Sequence, residues 1–293
     1  MRTEIIEKLS AIDSTDWNRV AGPVNPFIQY EFLIALERNH CLDEFGWHSQ
    51  HCVLFNDDNK LVAAMPMYLK DNSYGEFVFD WAWADAYHRS GIPYYPKLIT
   101  AIPYTPATGP RILVEEEKHY DDYAKQLTDF AIKYAESINV SSLHWLFTDK
   151  RDTELLQAQG LSLRLGCQFH WLNLPYESFD DFLSHLSSSK RKKIKRERRQ
   201  VREQGVEIEI RHGDEMNDAL WEIYHNFYTS TFDKKSGMAT LSKGFFQELG
   251  ETMARNVVLV FAKHQNEYIA CAFNLRDQST LYGRHWGCSE EFH

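Results

Sequence analysis

Residues 74–111 read YGEFVFDWAWADAYHRSGIPYYPKLITAIPYTPATGPR, and the expected fold is built around this stretch. The side chains alternate from Phe77 to Trp83, which predicts a strand with four aromatic residues on one face and Asp80 on the other. The prolines of PYYP and IPYTPATGP cannot continue a sheet or a regular helix, so a rigid loop is expected to follow. An aromatic strand beneath such a loop is typical of a cleft for a small molecule or a peptide, and equally of an ordinary core strand.

The composition is that of a soluble globular protein. The chain has 293 residues, of which 43% are hydrophobic and 25% are charged, and this length favours one large or two medium domains. It has no run of about 18 apolar residues, so no membrane span is expected. The N-terminus carries acidic residues where a signal peptide would carry an apolar run, which indicates a cytoplasmic protein. The cysteines lack CxxC spacing and the histidines lack an HExxH motif, so we expect reduced thiols and no metal site.

The net charge of −10 is unevenly distributed along the chain. Residues 190–202 contain nine Lys or Arg and one Glu, so this segment carries +8 and the remainder of the chain carries −18. In an acidic protein, positive charge that is concentrated in one segment is expected to bind the protein's own acidic surface or an anionic ligand.

The first half of the chain predicts helices and strands in a mixed order. A short strand and a helix lie within residues 1–20, and Asn25 is a good N-cap for a helix that begins at Pro26. An Asx-rich turn between two apolar runs predicts a β-hairpin of residues 48–55 and 61–70. The remaining elements are then the strand at 77–83, a short strand at 112–114, a helix at 119–137, a strand at 142–147, a helix at 152–159 and one or two strands in 161–174.

A second unit is predicted between residues 167 and 293. It has a helix capped by Ser178, a basic helix at 188–203, a strand at 206–211, helices capped by Asp214 and Ser242, and strands at 257–263, 268–276 and 280–287. Each unit thus contains two helices followed by a meander of three strands, so we expect tandem α/β domains of residues 1–166 and 167–293. The second unit has no counterpart of the later elements of the first, and would present an unpaired edge and a bare face. We expect that the chain is a fragment; the alternative is that the first unit or a partner covers the last strand.

Six stretches of the sequence together resemble one known family. They are NPFIQYEFLIALE (25–37), LVAAMPMYLKDNSYGEFVFDWAWADAYHRSGIPYYPKL (61–98), IPYTPATGPRIL (102–113), CQFHWLN (167–173), FDDFLSHLSSSKRKKIKRERR (179–199) and LYGRHWGCSEE (281–291). These stretches are similar to the Fem-like predicted N-acyltransferases, often labelled peptidoglycan biosynthesis/recognition proteins, and they cover essentially the whole chain. The resemblance implies an α/β fold with mixed sheets, made of two tandem GNAT-like acyltransferase domains. The second domain would be incomplete at its C-terminus, because members of the family usually continue through a further helix and strands.

The resemblance also implies an activity, the transfer of an acyl or aminoacyl group from an activated donor to an amine, with a peptidoglycan-related peptide as one acceptor. The donor is aminoacyl-tRNA in Fem-type relatives and acyl-CoA in ordinary GNAT enzymes, so the implied donor is a co-substrate and no permanently bound cofactor is expected. The Q/R-x-x-G-x-G/A loop that cradles pyrophosphate in GNAT enzymes has no match, since Trp83 is followed by ADAYHRSG. Because this loop is absent, we expect residues 74–111 to line the site for the acceptor and not the site for the donor. The alternative is a non-catalytic module that binds cell-wall peptide or another anionic ligand.

Asp80 is the candidate catalytic base, because an attacking amine needs a carboxylate or a histidine in a partly dry cleft. The alternative is that Asp80 orients the following loop by accepting backbone N–H bonds. A substrate carboxylate could be held by Arg111 or Lys97. Each further candidate for substrate binding also has a structural alternative, and these candidates are Trp81, Trp83, Tyr94, Tyr95, Tyr104, Thr105, His170, Tyr282, Arg284 and Trp286. The last three are expected to share one face of the final strand, where they could stack or grip an anion.

The basic segment is the candidate site for the phosphate groups of the donor, because Arg and Lys neutralise phosphates. A thin apolar stripe that includes Leu183, Ile194 and Val201 would dock this helix. The candidate phosphate ligands are Arg191, Lys192, Arg196 and Arg199. The alternative is a solvated face that balances the acidic remainder of the chain.

Overall fold

The computed structural model describes residues 1–234 and 237–289 of the chain. Within these residues there are twelve strands and nine α-helices. The strands are β1 Arg2–Ile6, β2 Trp47–Ser49, β3 His51–Phe55, β4 Leu61–Met65, β5 Met67–Lys70, β6 Lys97–Thr100, β7 Leu113–Val114, β8 Leu143–Trp145, β9 Val206–His212, β10 Val257–His264, β11 Glu267–Arg276 and β12 Leu281–Cys288. The helices are α1 Ser14–Ala21, α2 Tyr30–Arg38, α3 Trp81–Arg89, α4 Tyr120–Ser137, α5 Lys150–Ala158, α6 Phe179–Ser184, α7 Ser188–Glu203, α8 Asp218–Asp233 and α9 Lys243–Thr252. The expected α/β class with mixed sheets is confirmed.

The predicted hairpin of residues 48–55 and 61–70 is confirmed, but it is divided between two sheets. β3 pairs with β4 in the sheet β1-β3-β4-β7, whereas β2 pairs with β5 in the sheet β2-β5-β6-β8. The hairpin changes sheet at Gln50 and Pro66, and proline lacks the N–H that continued pairing requires. The second sheet continues antiparallel to β6 and then parallel to β8. The register of β5 and β6 sets Lys97 opposite Lys70.

Residues 77–83 do not form the predicted strand. Residues 81–89 form α3, and Phe77 and Phe79 before it have left-handed backbone angles of φ +61° and +51°. The alternation of aromatic residues suggested a strand, but α3 contains three alanines and no β-branched residue, a composition that favours a helix. None of the side chains of α3 is buried. The segment therefore has no face to bury in a core, and it does not need to pair as the predicted strand.

Other predictions of local structure were met in part. The segment 161–174 forms no strand in the described structure, and most of its residues are exposed. Ser242 caps α9 as predicted, accepting from the Phe245 N–H at 3.2 Å. Asp214 lies in a 3₁₀ turn, and α8 begins later with Asn217 as its N-cap. Asn25 caps a 3₁₀ turn at Pro26–Ile28, and α2 follows it.

One topological unit occurs twice in the chain. In the first copy, β1, α1, α2, β3 and β4 occur in this order, with β2 of the other sheet between α2 and β3, and the sheet order is β1-β3-β4. In the second copy, β9, α8, α9, β10 and β11 follow in sequence, and the sheet order is β9-β10-β11. The strands are antiparallel in both copies. The second copy begins at β9, and α6 and α7 lie between the two, so the division at residues 166 and 167 stays a prediction.

The two copies pack against each other through their second helices. Phe32 of α2 and Phe245 of α9 meet edge to face with ring centroids 5.6 Å apart. On the same helix pair, Glu248 accepts hydrogen bonds from Asn39 at 2.7 Å and from Arg38 at 3.0 Å. One continuous cluster of buried apolar side chains runs through both copies. The molecule therefore has a shared core between the copies.

The sheet β12-β11-β10-β9 is covered on only one face in the described part of the chain. Side chains such as Leu259, Phe261 and Phe273 are buried in the core that includes α8 and α9. On the other face Ile208 and Ile210 are 60% and 61% exposed. This is the bare face that the order of elements predicted. None of the described helices is long and apolar enough to cross a bilayer.

Candidate functional site

A buried ionic cluster lies where residues 71–96 leave the sheet between β5 and β6. The ammonium group of Lys97 donates to Glu76 at 2.8 Å, to Asp80 at 2.5 Å and to Ser73 at 3.0 Å. Tyr94 donates its hydroxyl to the same Asp80 oxygen at 2.7 Å. We call these five residues the Lys97 cluster, and all of them are buried.

The backbone before the cluster turns inward at Gly75. This residue has φ +79°, and a Cβ there would lie 2.7 Å from the ring of Tyr104. Only glycine fits such an angle and such a contact without strain. The Tyr104 N–H also donates to the Gly75 carbonyl at 3.2 Å. This close packing directs Glu76 toward Lys97.

Four of the predicted site residues meet at the cluster, namely Asp80, Tyr94, Tyr95 and Lys97. The Tyr95 hydroxyl lies 2.8 Å from the hydroxyl of Ser73. The Lys97 ammonium lies 5.1 Å and 5.8 Å from the ring centres of Tyr94 and Tyr95. The carboxylate of Asp80 makes no capping hydrogen bond to α3, so the alternative in which it orients the following backbone is not what the structure shows.

The pKa values of the two carboxyl groups of the cluster are shifted in opposite directions. Burial raises the pKa of Glu76, and the attraction of Lys97 only partly offsets it. Burial also acts on Asp80, but hydrogen bonds, first among them that from Lys97, outweigh it and lower the pKa of Asp80. When the pKa values of two neighbouring carboxyl groups differ in this way, one group can stay charged while the other exchanges a proton.

Each carboxyl group of the cluster has one oxygen without a hydrogen-bond partner in the described structure, Oε1 of Glu76 and Oδ1 of Asp80. The two residues are only 3% and 2% exposed. Leaving a buried polar atom unpaired costs about 1–3 kcal/mol, and native structures contain few such atoms.

Lys70, on the neighbouring strand, is a second fully buried lysine. Its ammonium group donates to the Phe45 carbonyl and to Asn72, both at 3.2 Å, and lies 4.3 Å from the ring centre of Trp47. None of these partners is charged, and burial lowers the pKa of Lys70 to about 7.

A second group of predicted residues meets between β12 and the first half of the chain. Arg284 on β12 donates to the carbonyl of Tyr104 and, at 3.3 Å, to the hydroxyl of Thr105. Tyr282 packs edge to face on Phe27 with ring centroids 5.0 Å apart. A small cavity lies beside them, and burial lowers the pKa of Arg284 to about 10. These contacts join β12 to the loop after β6.

Trp286 does not share a face with Tyr282, which corrects the prediction for the last strand. Phe273 pairs with His285 and Asn274 pairs with Gly283, so Arg284 is an extra residue in a β-bulge. A bulge reverses the alternation beyond it. As a result Trp286 lies on the bare face of the sheet and is 54% exposed, away from the contact between the copies.

Arg111 is fully buried and engaged by the main chain. Its guanidinium group donates to the carbonyls of Ala107, Gly109, Pro110 and Leu146. These bonds fix the loop of residues 107–111. The expectation that Arg111 holds a substrate carboxylate does not fit this arrangement, because its donors already have acceptors.

The remaining predicted substrate residues lie on the surface. Trp81 and Trp83 are 43% and 55% exposed on α3. His170 lies in the exposed segment 161–174 and is 3.3 Å from Gln168, whose side-chain oxygen accepts from Thr108 at 3.2 Å. His170 is thus linked to the loop of residues 106–108, and it does not contact the Lys97 cluster.

The basic helix α7 is confirmed, and its predicted phosphate ligands fall into two groups. Arg191 turns back to carbonyl groups at the end of α6, at 3.2 Å from that of Ser184. Lys192, Arg196 and Arg199 are exposed on the surface. Arg191 therefore stabilises the junction of α6 and α7, and the other three present charge to solvent.

Comparison with known proteins assigns the family. The FemAB-like family, described as peptidoglycan biosynthesis/recognition, matches residues 8–293. The chain belongs to the FemAB-like family. The match includes the Lys97 cluster and, apart from β1, both copies of the repeated unit, and it confirms the resemblance found in the sequence. No curated protein matches this FemAB-like chain in sequence.

Two solved structures are similar to the FemAB-like chain in fold. L-PGS from Bacillus licheniformis has 10% identity and a TM-score of 0.50, over 92% of this chain and 68% of that one. The C-terminal domain of a protein from Agrobacterium fabrum, assigned as a lysylphosphatidylglycerol synthetase, has 9% identity and a TM-score of 0.52, over 95% of this chain and 70% of that one. At these identities the likeness shows a shared fold.

No sequence pattern selects Lys70, but one signal points to Glu76. Lys70 ends a strand beside a polar turn, a position where lysine is ordinarily solvated. Glu76 and Asp80 are the two carboxylates of the aromatic-rich run YGEFVFDW, and this spacing could have marked them as a pair. In the described residues no group of three or more His, Cys, Asp or Glu is placed to hold a metal ion.

Proposed function

We propose that this chain transfers an acyl or aminoacyl group from an activated donor to the amine of a peptidoglycan-related acceptor. The observation that carries the proposal is the pair of buried carboxyl groups in the Lys97 cluster, whose pKa values are shifted in opposite directions. Such a pair suits chemistry on an amine, which must be held as a cation and then deprotonated. Membership of a family described as peptidoglycan biosynthesis/recognition supports the class of acceptor.

The reaction joins the nitrogen of the acceptor to the carbonyl carbon of the donor. A C–N bond forms, and the C–O bond of an ester or the C–S bond of a thioester breaks. The nitrogen, bound as an ammonium ion, gives up two protons: one goes to a carboxylate of the site, and the other ends on the leaving oxygen or sulfur. The donor acts as a co-substrate, and we propose no permanently bound cofactor.

Aminoacyl-tRNA and acyl-CoA are both proposed as donors, because both carry phosphate groups. Lys192, Arg196 and Arg199 on α7 are the proposed ligands for those groups, since they are exposed and carry positive charge. The similar domain from Agrobacterium fabrum belongs to a protein named for the synthesis of an aminoacylated lipid. That name supports aminoacyl-tRNA as the first donor to test.

The proposal is tested by incubating the chain with labelled aminoacyl-tRNA or acyl-CoA and a peptide that carries a primary amine. We expect one class of donor to label the peptide through an amide bond. If none does while the peptide still binds, the second function, a non-catalytic module for cell-wall peptide, takes its place. The description of the family as one of recognition as well as biosynthesis is the observation that favours this second function.

A further inference from the structure

The two unpartnered oxygens of the Lys97 cluster indicate what kind of group completes it. Oε1 of Glu76 and Oδ1 of Asp80 are acceptors that have no donor within the part of the chain that the structure describes. Lys97 cannot supply one, because an ammonium group has three donors and Lys97 uses its three on Ser73, Glu76 and Asp80. The Ser73 hydroxyl acts on Asp80 as a hydrogen-bond donor, so Oε1 of Glu76 is the atom whose missing partner is a donor from outside the cluster.

The charge of the cluster narrows the choice of ligand. The unpartnered atoms belong to carboxyl groups, so an anionic ligand would be repelled at this place. A neutral hydroxyl offers a single donor and leaves one oxygen unpaired, and a water molecule offers two donors but does not offset the negative charge. A primary ammonium group offers three donors and a positive charge, so it can serve both oxygens at once.

The segment above the cluster combines an exposed helix with an unfavourable backbone conformation. Residues 71–96 connect β5 to β6, and α3 within this segment buries none of its side chains. Phe77 and Phe79 hold left-handed backbone angles that are unfavourable for bulky residues. The contacts of Glu76 and Asp80 to Lys97 tie this segment to β6. Both unpartnered oxygens belong to the segment itself, so an amine that enters beneath it pairs with them while the contacts to Lys97 remain.

We propose that the primary amine of the acceptor binds between Glu76 and Asp80 beneath α3, where Asp80 holds it as an ammonium ion and Glu76 removes one proton. In that step an N–H bond breaks, an O–H bond forms on Oε1 of Glu76, and the electron pair stays on nitrogen as the nucleophile. This inference rests on the proposed function for its chemical step, but the amine site itself can be tested without any donor.

The surroundings of Glu76 support its part in this step. The charged groups that act on it are Lys97 and Asp80 within the cluster and Lys70 on β5. Burial is the largest influence, and it raises the pKa of Glu76 above its usual value. A carboxylate with a raised pKa is a better proton acceptor near neutral pH than one such as Asp80, whose pKa is lowered.

The test is calorimetric titration of the whole chain with Nα-acetyl-lysine methylamide, and with Nα-acetyl-norleucine methylamide as the probe that lacks the amine. We expect the lysine probe alone to bind. Glu76→Gln and Asp80→Asn should each weaken binding about tenfold or more, because each removes a charged partner of the ammonium group. Asp85→Asn, on the exposed side of α3, is the matched control and should bind as the wild type does.

Three results would overturn the amine site: no binding of the lysine probe, equal binding of both probes, or binding that survives Glu76→Gln and Asp80→Asn. Far-ultraviolet circular dichroism of each variant shows whether it is folded. Failure of the amine site and failure of the proposed function can be told apart. If the lysine probe binds but no donor supports transfer, the amine site stands and the proposed activity is wrong. If transfer occurs and Glu76→Gln leaves it unchanged, the activity stands and the amine site is wrong.

When transfer is observed, its kinetics separate the two roles. Glu76→Gln should lower kcat as well as raise KM for the acceptor, because it removes the proton acceptor and also one charged partner of the ammonium group. Asp80→Asn should mainly raise KM for the acceptor. The opposite pattern would assign the proton transfer to Asp80.

Discussion

Lys70 and Lys97 lie opposite each other on β5 and β6, and both are fully buried. Like charges directly opposite on neighbouring strands are unfavourable, and the fold deals with them in two ways. Lys97 is compensated by two carboxyl groups, Glu76 and Asp80. Lys70 has only neutral acceptors, and burial lowers its pKa to about 7. Lys70 therefore makes the stability of the fold depend on pH, and the proposed site does not require this lysine.

The first prediction concerns Lys70→Met. The pKa of Lys70 is about 7 in the folded chain, against the ordinary lysine value of 10.5 that applies to the unfolded chain. The stability due to Lys70 is therefore fully present above the higher value and is lost as the pH falls through about 7. The wild type should thus become less stable relative to Lys70→Met by about 1.4 kcal/mol per pH unit as the pH falls from about 9.5 to 7.5. Urea unfolding of both proteins across this range measures the difference.

Lys125→Met is the control for Lys70→Met, because Lys125 is exposed and pairs with Asp129 on the surface of α4. Its difference from the wild type should not change with pH in the same range. A Lys70→Met difference that is also constant would show that Lys70 stays protonated in the folded chain, contrary to the expected behaviour of a buried lysine.

The single residues also show how far the sequence could define the site. Asp80, Tyr94, Tyr95 and Lys97 were predicted together because they share one aromatic and proline-rich stretch, and the structure brings them into contact. Whether they act on substrate stays a prediction. Arg111 came from the same stretch, but only the tertiary structure shows that carbonyl groups 1 to 35 residues away use its donors.

Among the elements, α3 differs most from its prediction. The sequence WAWADAYHR supports a helix by its alanines, and it also alternates as a strand does. Tertiary packing usually decides between such alternatives, but α3 has no buried face and intrinsic helix propensity prevails. The bulge at Arg284 is another feature that composition does not encode, since an extra residue in a strand depends on its partner.

The second prediction concerns α7. If α7 binds the phosphates of tRNA, the affinity for tRNA should fall steeply with salt, and the combined change of Lys192, Arg196 and Arg199 to Gln should reduce the log–log salt slope by about 2–3. Fluorescence anisotropy with labelled tRNA at several salt concentrations measures this slope. Lys125, Lys133 and Lys150 changed together to Gln provide a control with the same loss of charge on other helices.

Two results would count against α7 as a phosphate-binding helix. One is a flat dependence of affinity on salt for the wild type. The other is an equal loss of slope in the control variant, which would show that net charge matters and the position of the charge does not. In either case α7 would be a solvated face that balances the acidic remainder of the chain.

In the whole molecule, the two copies of the strand–helix–helix–strand–strand unit share one core. The third prediction is that they unfold together. Phe32 is buried between Phe27 and Phe245, so Phe32→Ala should lower the free energy of unfolding by about 3–5 kcal/mol. Hydrogen exchange followed by mass spectrometry should show the loss in β3 of the first copy and in β10 of the second.

Phe169→Ala is the control for Phe32→Ala, because Phe169 is 97% exposed and its removal should change stability by less than about 0.5 kcal/mol. Protection lost in one copy only, or two separate unfolding transitions, would show that the copies are independent domains.

The order of elements predicted two helices followed by a hairpin in each half, because period and capping signals identify most helices and strands. The predicted third strand of the first meander, residues 77–83, is absent because residues 81–89 form α3. The order of elements was not enough to place the start of the second copy. Residues 161–174 alternate as a strand would, yet in the described structure they pair with no other strand. The copy begins instead at β9, whose pairing with β10 depends on residues about 50 positions later.

Transfer of a labelled group to a primary amine is the measurement that tests the central claim most directly. The whole chain is incubated with labelled aminoacyl-tRNA, or with labelled acyl-CoA in a parallel reaction, and with a lysine-bearing peptide. The matched peptide has norleucine in place of lysine. We predict a labelled amide on the lysine peptide alone, and its loss in Glu76→Gln. No labelled product from any donor, with the lysine peptide still bound, would contradict the claim that this FemAB-like chain is an acyltransferase.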